Sequence, residues 1–470
     1  MAEENKGIYF TELTLENVRC FGDDAVLKLS NEKGEWSKWN VILGDNGTGK
    51  TTLLQCLAGM ELHLDPNIDD DVNLDLQDHS KNEWSPKLFL NNRIFFHNIK
   101  YNEISDYRTK SFVTTEKLRV LVKANIFSEE TLTKIQIGYG NYNSLWRINW
   151  RLPTDIEAYK NVFILGYGAN RRISFQILSE KELEPELSST LFDDDAKLIN
   201  AEEWLYQMDY AAAFAENRDT DSKELVKKRR DLVFRLIQEI LPKDIEDIKI
   251  EEELSSPPTT PIIRFKTPYG WVGIKELSYG YKTVVAWVVD VAARMFKKYP
   301  NSENPLEEPV IILVDEIDLH LHPKWQRQIF DSLEKWFPRA QFIVTAHSPL
   351  IVQSAPKDAN IIVLKKEHVG DEYVVKIDNG KNFVRNWRVD QILSSDLFDG
   401  IGIRNSEVER QMLERTALLK RHDLTKKEQQ RLDELNELSH SLPTADNPED
   451  IEAMEIIREA AALLKKQKRQ

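Results

Sequence analysis

Cysteine is nearly absent from this 470-residue chain. Cys20 and Cys56 are the only two, and no C-x-x-C pair occurs, so the sequence supports neither a disulfide framework nor a zinc hook. Long apolar runs are missing as well. No stretch approaches the roughly 18 uninterrupted apolar residues of a membrane span, and Met1-Ala2-Glu3-Glu4-Asn5-Lys6 lacks the basic-then-apolar order of a signal peptide. We therefore expect a cytoplasmic protein without membrane contact. Positive charge is in deficit, with 63 Lys and Arg against 78 Asp and Glu and a formal net charge of −15. That balance argues against a uniformly basic nucleic-acid-coating surface, though not against a local basic groove. The acidic clusters at residues 69–71 and 193–195 and the basic run at 227–230 read as solvated surface. No tandem repeat is evident, nor any low-complexity tract beyond the proline-rich connector at 255–261. What is present, 41% hydrophobic and 30% charged residues, describes a globular chain long enough for a large core and more than one lobe.

The most specific signal is the stretch Val41–Thr52, in which an apolar strand, a glycine-rich turn and a helix start satisfy G-x-x-x-x-G-K-[ST] from Gly44 to Thr51. Gly44, Gly47 and Gly49 permit a positive φ and a close backbone approach. Backbone N–H groups of Asn46, Gly47, Thr48, Gly49, Lys50, Thr51 and Thr52 and the positive end of the helix then converge on phosphate oxygens. Lys50 is expected at the β- and γ-phosphates of ATP and the Thr51 hydroxyl on Mg²⁺. Leu53, Leu54 and Leu57 continue at helical spacing.

Alternation at 8–15 and 25–29, with a turn-prone Phe21-Gly22-Asp23-Asp24 between, predicts an antiparallel hairpin that buries Ile8, Phe10 and alternate neighbours. Residues 61–160 read as a β-rich insertion. At 162–165 an apolar strand ends in Gly166-Tyr167-Gly168-Ala169-Asn170-Arg171, and ligands gather at such strand ends in parallel sheets. Asn170 and Arg171 are candidates to face a nucleotide; a plain surface turn is the alternative. Residues 201–241 read as an α-helical lobe. The apolar strand Pro309–Val314 ends in Asp315 and Glu316, an aspartate placed to coordinate Mg²⁺ beside Thr51 or to hold the ligands around it, and a glutamate placed to orient or deprotonate a water. One helix is predicted from Pro323, with Trp325, Ile329, Leu333 and Trp336 on one face. The next apolar strand delivers His347 to the same edge, where on its own it reads as structural. His320 and His322 lack a third ligand for zinc. A hairpin at 361–377 turning at Gly370-Asp371 and a helical tail, with a capping box at Thr425 and Glu428 and a last helix to Lys465, complete the chain.

With these pieces in hand, Leu277-Ser278-Tyr279-Gly280-Tyr281 resembles a degenerate L-S-G-G-Q signature, and the order of cradle, insert, signature, acidic strand and histidine is similar to that of ABC-type ATPases. Asp315–Pro323 and Arg19-Cys20-Phe21 resemble the RecF, SMC and overcoming-lysogenization-defect branch. Gly166–Gly168, Leu277-Ser278, Asp315–Pro323 and the tail after Val389 resemble ATPases of bacterial anti-phage systems, notably the ATPase subunit of Septu-type systems. Residues beyond His347 lack the pattern of a Toprim nuclease domain, and no H-N-H pattern is visible.

The resemblance implies an α/β fold: a P-loop ABC-type head (1–60, 161–175 and 262–385) with an N-terminal β-hairpin, a β-rich insertion (61–160), an α-helical lobe and connector (176–261) and a C-terminal helical extension for interactions (386–470). It implies two chains sandwiching two ATP molecules, each site using Lys50, Asp315, catalytic Glu316 and His347 of one subunit with Ser278 and the Gly280 backbone of the other. Arg19 would join the nucleotide contacts, and Asn170 would stand in for a glutamine that binds the metal. The implied role is an ATP-gated scaffold, a homodimer or higher even-numbered homo-oligomer, regulating a separate nuclease encoded nearby, with nucleic acid reached through that partner. The alternative is a RecF-like clamp that itself binds DNA in repair.

Overall fold

The computed structural model describes residues 7–16, 18–22, 25–64, 84–86, 118–126, 129–142, 145–151, 161–174, 187–214, 220–241, 245–253, 260–369, 372–380, 387–398, 405–421 and 424–441. The acidic run at 69–71, the Gly370-Asp371 turn, the proline-rich residues 255–259 and the predicted last helix lie outside the described residues. The chain divides into two compact units, Met1–Ile392 and Leu393–Gln470.

The first unit is built on a six-stranded sheet in the order Glu372–Asn379, Asn360–Val369, Trp39–Gly44, Ala340–Ala346, Val310–Val314, Ile164–Tyr167. All pairings are parallel except that of the outermost strand Glu372–Asn379, which folds back antiparallel on Asn360–Val369. Every residue of Val310–Val314 and Ala340–Ala346 is buried, as expected for parallel strands covered on both faces, which read as unbroken apolar runs. The register pairs Leu43 with Ala346 and Val314 with both Val344 and Tyr167. The carboxyl ends of four strands therefore finish level on one edge, which brings Gly44, Asp315, His347 and the loop after Tyr167 together. The helix Lys50–Ala58 is buried on almost every side, so it runs through the core rather than along the surface.

A second, antiparallel sheet runs Ala25–Lys28, Ile8–Glu16, Leu118–Ile126, Glu129–Tyr142, Leu145–Arg151. The N-terminal hairpin is present, and strands from the insertion extend its sheet. The alternation is only partly followed: Thr11 and Thr14 are buried, at 6% and 9% exposed, alongside Phe10 and Leu13. The Gln341 side chain accepts from Phe10 N at 2.8 Å and donates to Phe10 O at 2.7 Å, which ties the strand onto the parallel sheet. Tyr9 stacks on Trp36 with ring centroids 3.9 Å apart and donates its hydroxyl to Arg339 O.

The helical lobe consists of Ala201–Phe214 and Thr220–Ile240 beside a long helix Tyr279–Lys298. Asp290, fully buried on that long helix, accepts from Tyr167 Oη, Ile199 N and Arg294 Nε. A three-stranded antiparallel sheet, Asp247–Glu253, Thr260–Thr267 and Gly270–Gly273, was not foreseen from the sequence. The single helix predicted from Pro323 is two, Pro323–Gln326 and Ile329–Trp336. Gln328 N bonds back to Trp325 O in a tight turn, while the Gln326 amide leaves the helix to donate to Asp318 O and Leu321 O.

In the second unit, Ser406–Leu419 and Lys426–Ser441 pack through Leu418, Leu432 and Leu435. The predicted capping box forms, with Glu428 accepting from Thr425 N at 2.8 Å and Glu428 N donating to Thr425 Oγ1 at 3.4 Å.

Candidate nucleotide site

The turn after Gly44 owes its conformation to glycine. Gly49, at φ 83°, caps the helix, and a Cβ there would come within 2.6 Å of Cys20 Sγ and 2.8 Å of the Phe21 ring, so the N-terminal hairpin closes on the loop as tightly as a missing side chain allows. Asp45, Asn46 and Gly47 are exposed at the rim, whereas Thr48 is buried with its hydroxyl donating to Asp45 O. The Asn46 carbonyl accepts from Lys366 Nζ at 3.0 Å. Lys50 is 7% exposed and donates to Gly44 O at 2.7 Å and Asp45 O at 2.9 Å. Burial pulls its pKa down, opposed by the carboxylates of Asp315, Glu316, Asp45 and Asp318. The ammonium is thus held over the loop by carbonyls, acceptors that phosphate oxygens can replace.

Asp315 joins three elements. Its Oδ2 accepts from Thr51 Oγ1 at 2.6 Å and its Oδ1 from Thr345 Oγ1 at 2.5 Å, and the Thr345 hydroxyl in turn accepts from Glu316 N at 2.7 Å. Glu316 sits at φ 49°, a left-handed conformation uncommon outside glycine. His347 Nε2 lies 3.8 Å from Glu316 Oε1, both side chains about one-third exposed. The His347 backbone N–H donates to the Asp318 carboxylate at 3.1 and 3.3 Å. The turn that carries Glu316 is thereby fastened to the strand that delivers His347.

The loop after Tyr167 places its two candidate residues differently. Asn170 is exposed, and the inward residue is Arg171, 2% exposed, donating to Asp315 O at 2.9 Å and Glu316 O at 3.0 Å. Burial pushes the Arg171 guanidinium down to about 10. Arg19 lies along the cradle helix, donating to Thr52 Oγ1 at 2.9 Å and Gln55 Oε1 at 3.1 Å. Ser278 caps the helix Tyr279–Lys298 by position, yet its exposed side chain makes no capping bond. Gly280 packs so closely that a Cβ would approach His320 O to 2.4 Å, and Tyr279 meets the His320 ring edge-on at 4.6 Å. His322 Nδ1 accepts from Lys324 N and caps its own helix. Thr345, Asp318 and Arg171 in its observed role are the residues that motif spacing does not reveal.

The donor set suits Mg²⁺ with a nucleotide. The Thr51 hydroxyl and the Asp315 carboxylate are hard oxygen donors within hydrogen-bond distance of each other, and Mg²⁺ is commonly held by one or two protein oxygens together with phosphate and water. No group of three or more His, Cys, Asp or Glu side chains is arranged around a metal position among the described residues.

A family model described as "AAA domain, putative AbiEii toxin, Type IV TA system" matches residues 39–353. The chain is 37% identical over 142 residues to "Retron Vc95 probable ATPase" of Vibrio cholerae, covering 30% of this chain and 26% of that protein. It is 24% identical over 374 residues to "Septu protein PtuA" of Bacillus thuringiensis, covering 78% of this chain and 79% of that one. The chain thus spans about a quarter of the retron protein's length. The SMC head domain from Thermotoga maritima aligns with 79% of this chain and 99% of its own at 13% identity and a TM-score of 0.41, a likeness that adds nothing to the fold described above.

Proposed function

Because the chain belongs to this AAA-domain family, we propose that it is an ABC-type ATPase of an anti-phage system, hydrolysing ATP with Mg²⁺ and switching a separate effector nuclease as it does so. The observation that carries the ATPase reading is the Asp315 carboxylate bonded at once to Thr51 of the cradle and Thr345 of the histidine strand. In this reading Lys50 exchanges the Gly44 and Asp45 carbonyls for β- and γ-phosphate oxygens. Thr51 and Asp315 would hold Mg²⁺, which when bound would supply charge neutralisation at the phosphates. Glu316 accepts the proton of the attacking water, and His347, beside it, contacts the γ-phosphate region.

The exposed Ser278 hydroxyl and the Gly280 backbone serve a nucleotide bound by a second copy, so that ATP closes two chains into a two-fold pair or a higher even-numbered assembly. The retron and Septu relatives support a defence role; among the described residues no helix is long and apolar enough to cross a membrane. Light scattering on the purified Glu316→Gln chain tests the gating. ATP with Mg²⁺ should double the solution mass, and an unchanged mass at saturating ATP would remove the gating from the account.

A further inference from the structure

Glu316 must hold a carboxylate still at the end of a strand where its own backbone is strained. A left-handed φ at a non-glycine residue costs of the order of 1 kcal/mol and persists only where the surroundings impose it. Three contacts impose it here. The Thr345 hydroxyl accepts from Glu316 N, and Ile317 N donates to Thr345 O at 2.9 Å, which fixes the turn from the strand side. From the opposite direction comes Arg171, whose Nη1 and Nη2 reach the two successive carbonyls of Asp315 and Glu316. A guanidinium is suited to this, since its planar fork presents two donor nitrogens at fixed spacing, whereas an ammonium offers a single nitrogen.

Arg171 stands four residues beyond Tyr167, whose hydroxyl is held by Asp290 on the long helix that starts at Tyr279. The same short segment therefore touches both the Ser278-capped helix and the carboxylate turn.

We propose that Arg171 is a positioning residue for ATP hydrolysis: its fork fixes the Asp315–Glu316 backbone and so aims the Glu316 carboxylate, without itself contacting nucleotide. This rests on the reading of Glu316 as the hydrolytic base. Arg171→Lys keeps the charge but replaces the two-pronged planar fork with a single nitrogen. It also removes the guanidinium Nε, which is buried without a hydrogen-bond partner, so the fold loses less than the count of carbonyl bonds suggests.

In the nucleotide-free full-length chain, Arg171→Lys should speed amide exchange in the turn 315–319 while leaving exchange in the cradle helix unchanged. With nucleotide it should lower kcat about 10- to 100-fold, the scale of a small misplacement of a reacting group, with ATP affinity unchanged. Combined with Glu316→Gln it should cost nothing further, because a residue that acts only through the carboxylate has nothing left to position. Should the lysine variant fail to fold, Arg171→Gln, which buries no charge and stops short of both carbonyls, takes its place in the same measurements.

An equal loss of kcat in the Glu316→Gln background, or a fall in affinity matching the fall in kcat, would overturn the positioning role alone. If Glu316→Gln by itself leaves hydrolysis intact, the reading of Glu316 fails and this inference falls with it.

Discussion

Thr51 and Asp315 lie 264 positions apart in sequence, and the Thr51 hydroxyl donates to Asp315 Oδ2 at 2.6 Å. The two oxygens to which the proposal assigns the metal are thus neighbours, brought together by the parallel register that levels the strand ends. Each residue around that position has a separable expected effect.

Lys50→Ala removes the one cation inside the loop while leaving the backbone cradle in place. A charge-assisted hydrogen bond is worth roughly 1.5–3 kcal/mol, so ATP affinity by calorimetry should fall about 10- to 150-fold. Near-unchanged affinity would mean that the loop does not hold the phosphates.

Asp315→Ala should weaken the Mg²⁺ dependence of ATP binding, since it deletes one of the two protein oxygens at the metal position. A titration of binding against Mg²⁺ concentration separates this from Glu316→Gln, which should leave that dependence untouched. Identical curves for the two variants would contradict the division of roles.

The strand ends were legible because their residues are adjacent in the chain: glycines, Lys50 and Thr51 in one motif, and Asp315-Glu316 at the close of an apolar run. Contacts made across the fold were not. The choice between Asn170 and Arg171 depends on which side chain an irregular loop turns inward, and no periodicity encodes that. The Phe10 backbone is tied to the Gln341 side chain, more than 300 residues away, a contact that a local alternation cannot register. The sheet spanning Asp247–Gly273 escaped notice because its strands carry charges that pair across it, as Glu251 does with Arg264 at 3.0 Å, so the segment reads as polar surface beside a proline-rich run.

Asp290→Ala should be the most destabilising of these substitutions. It leaves Tyr167 Oη and Ile199 N without their acceptor and takes the carboxylate from Arg294, whose side chain is 12% exposed. Breaking a buried charge pair by removing one partner costs about 3–5 kcal/mol. Urea denaturation should show a loss of that size; a loss below about 1 kcal/mol, the scale of an exposed pair, would mean that the network contributes little.

Ser278→Arg should spare ATP binding by a single chain yet abolish hydrolysis and ATP-driven association, because the added cation enters the closing face rather than the cradle. Mixing it with Lys50→Ala chains tests sharing between subunits. In a mixed pair, Lys50 of the first chain faces an intact Ser278 of the second, so partial activity absent from either variant alone is expected. Continued inactivity of an exchanging mixture would argue that both residues serve the same subunit's site.

The central claim is that this chain hydrolyses ATP with Glu316 as the base, and steady-state phosphate release by the purified full-length protein tests it most directly when run beside Glu316→Gln with ATP affinity measured on both. A general-base contribution is of the order of 10²–10⁴-fold. The account predicts equal affinity and a fall in phosphate release of that order in the variant, and phosphate release at the wild-type rate by Glu316→Gln would contradict it.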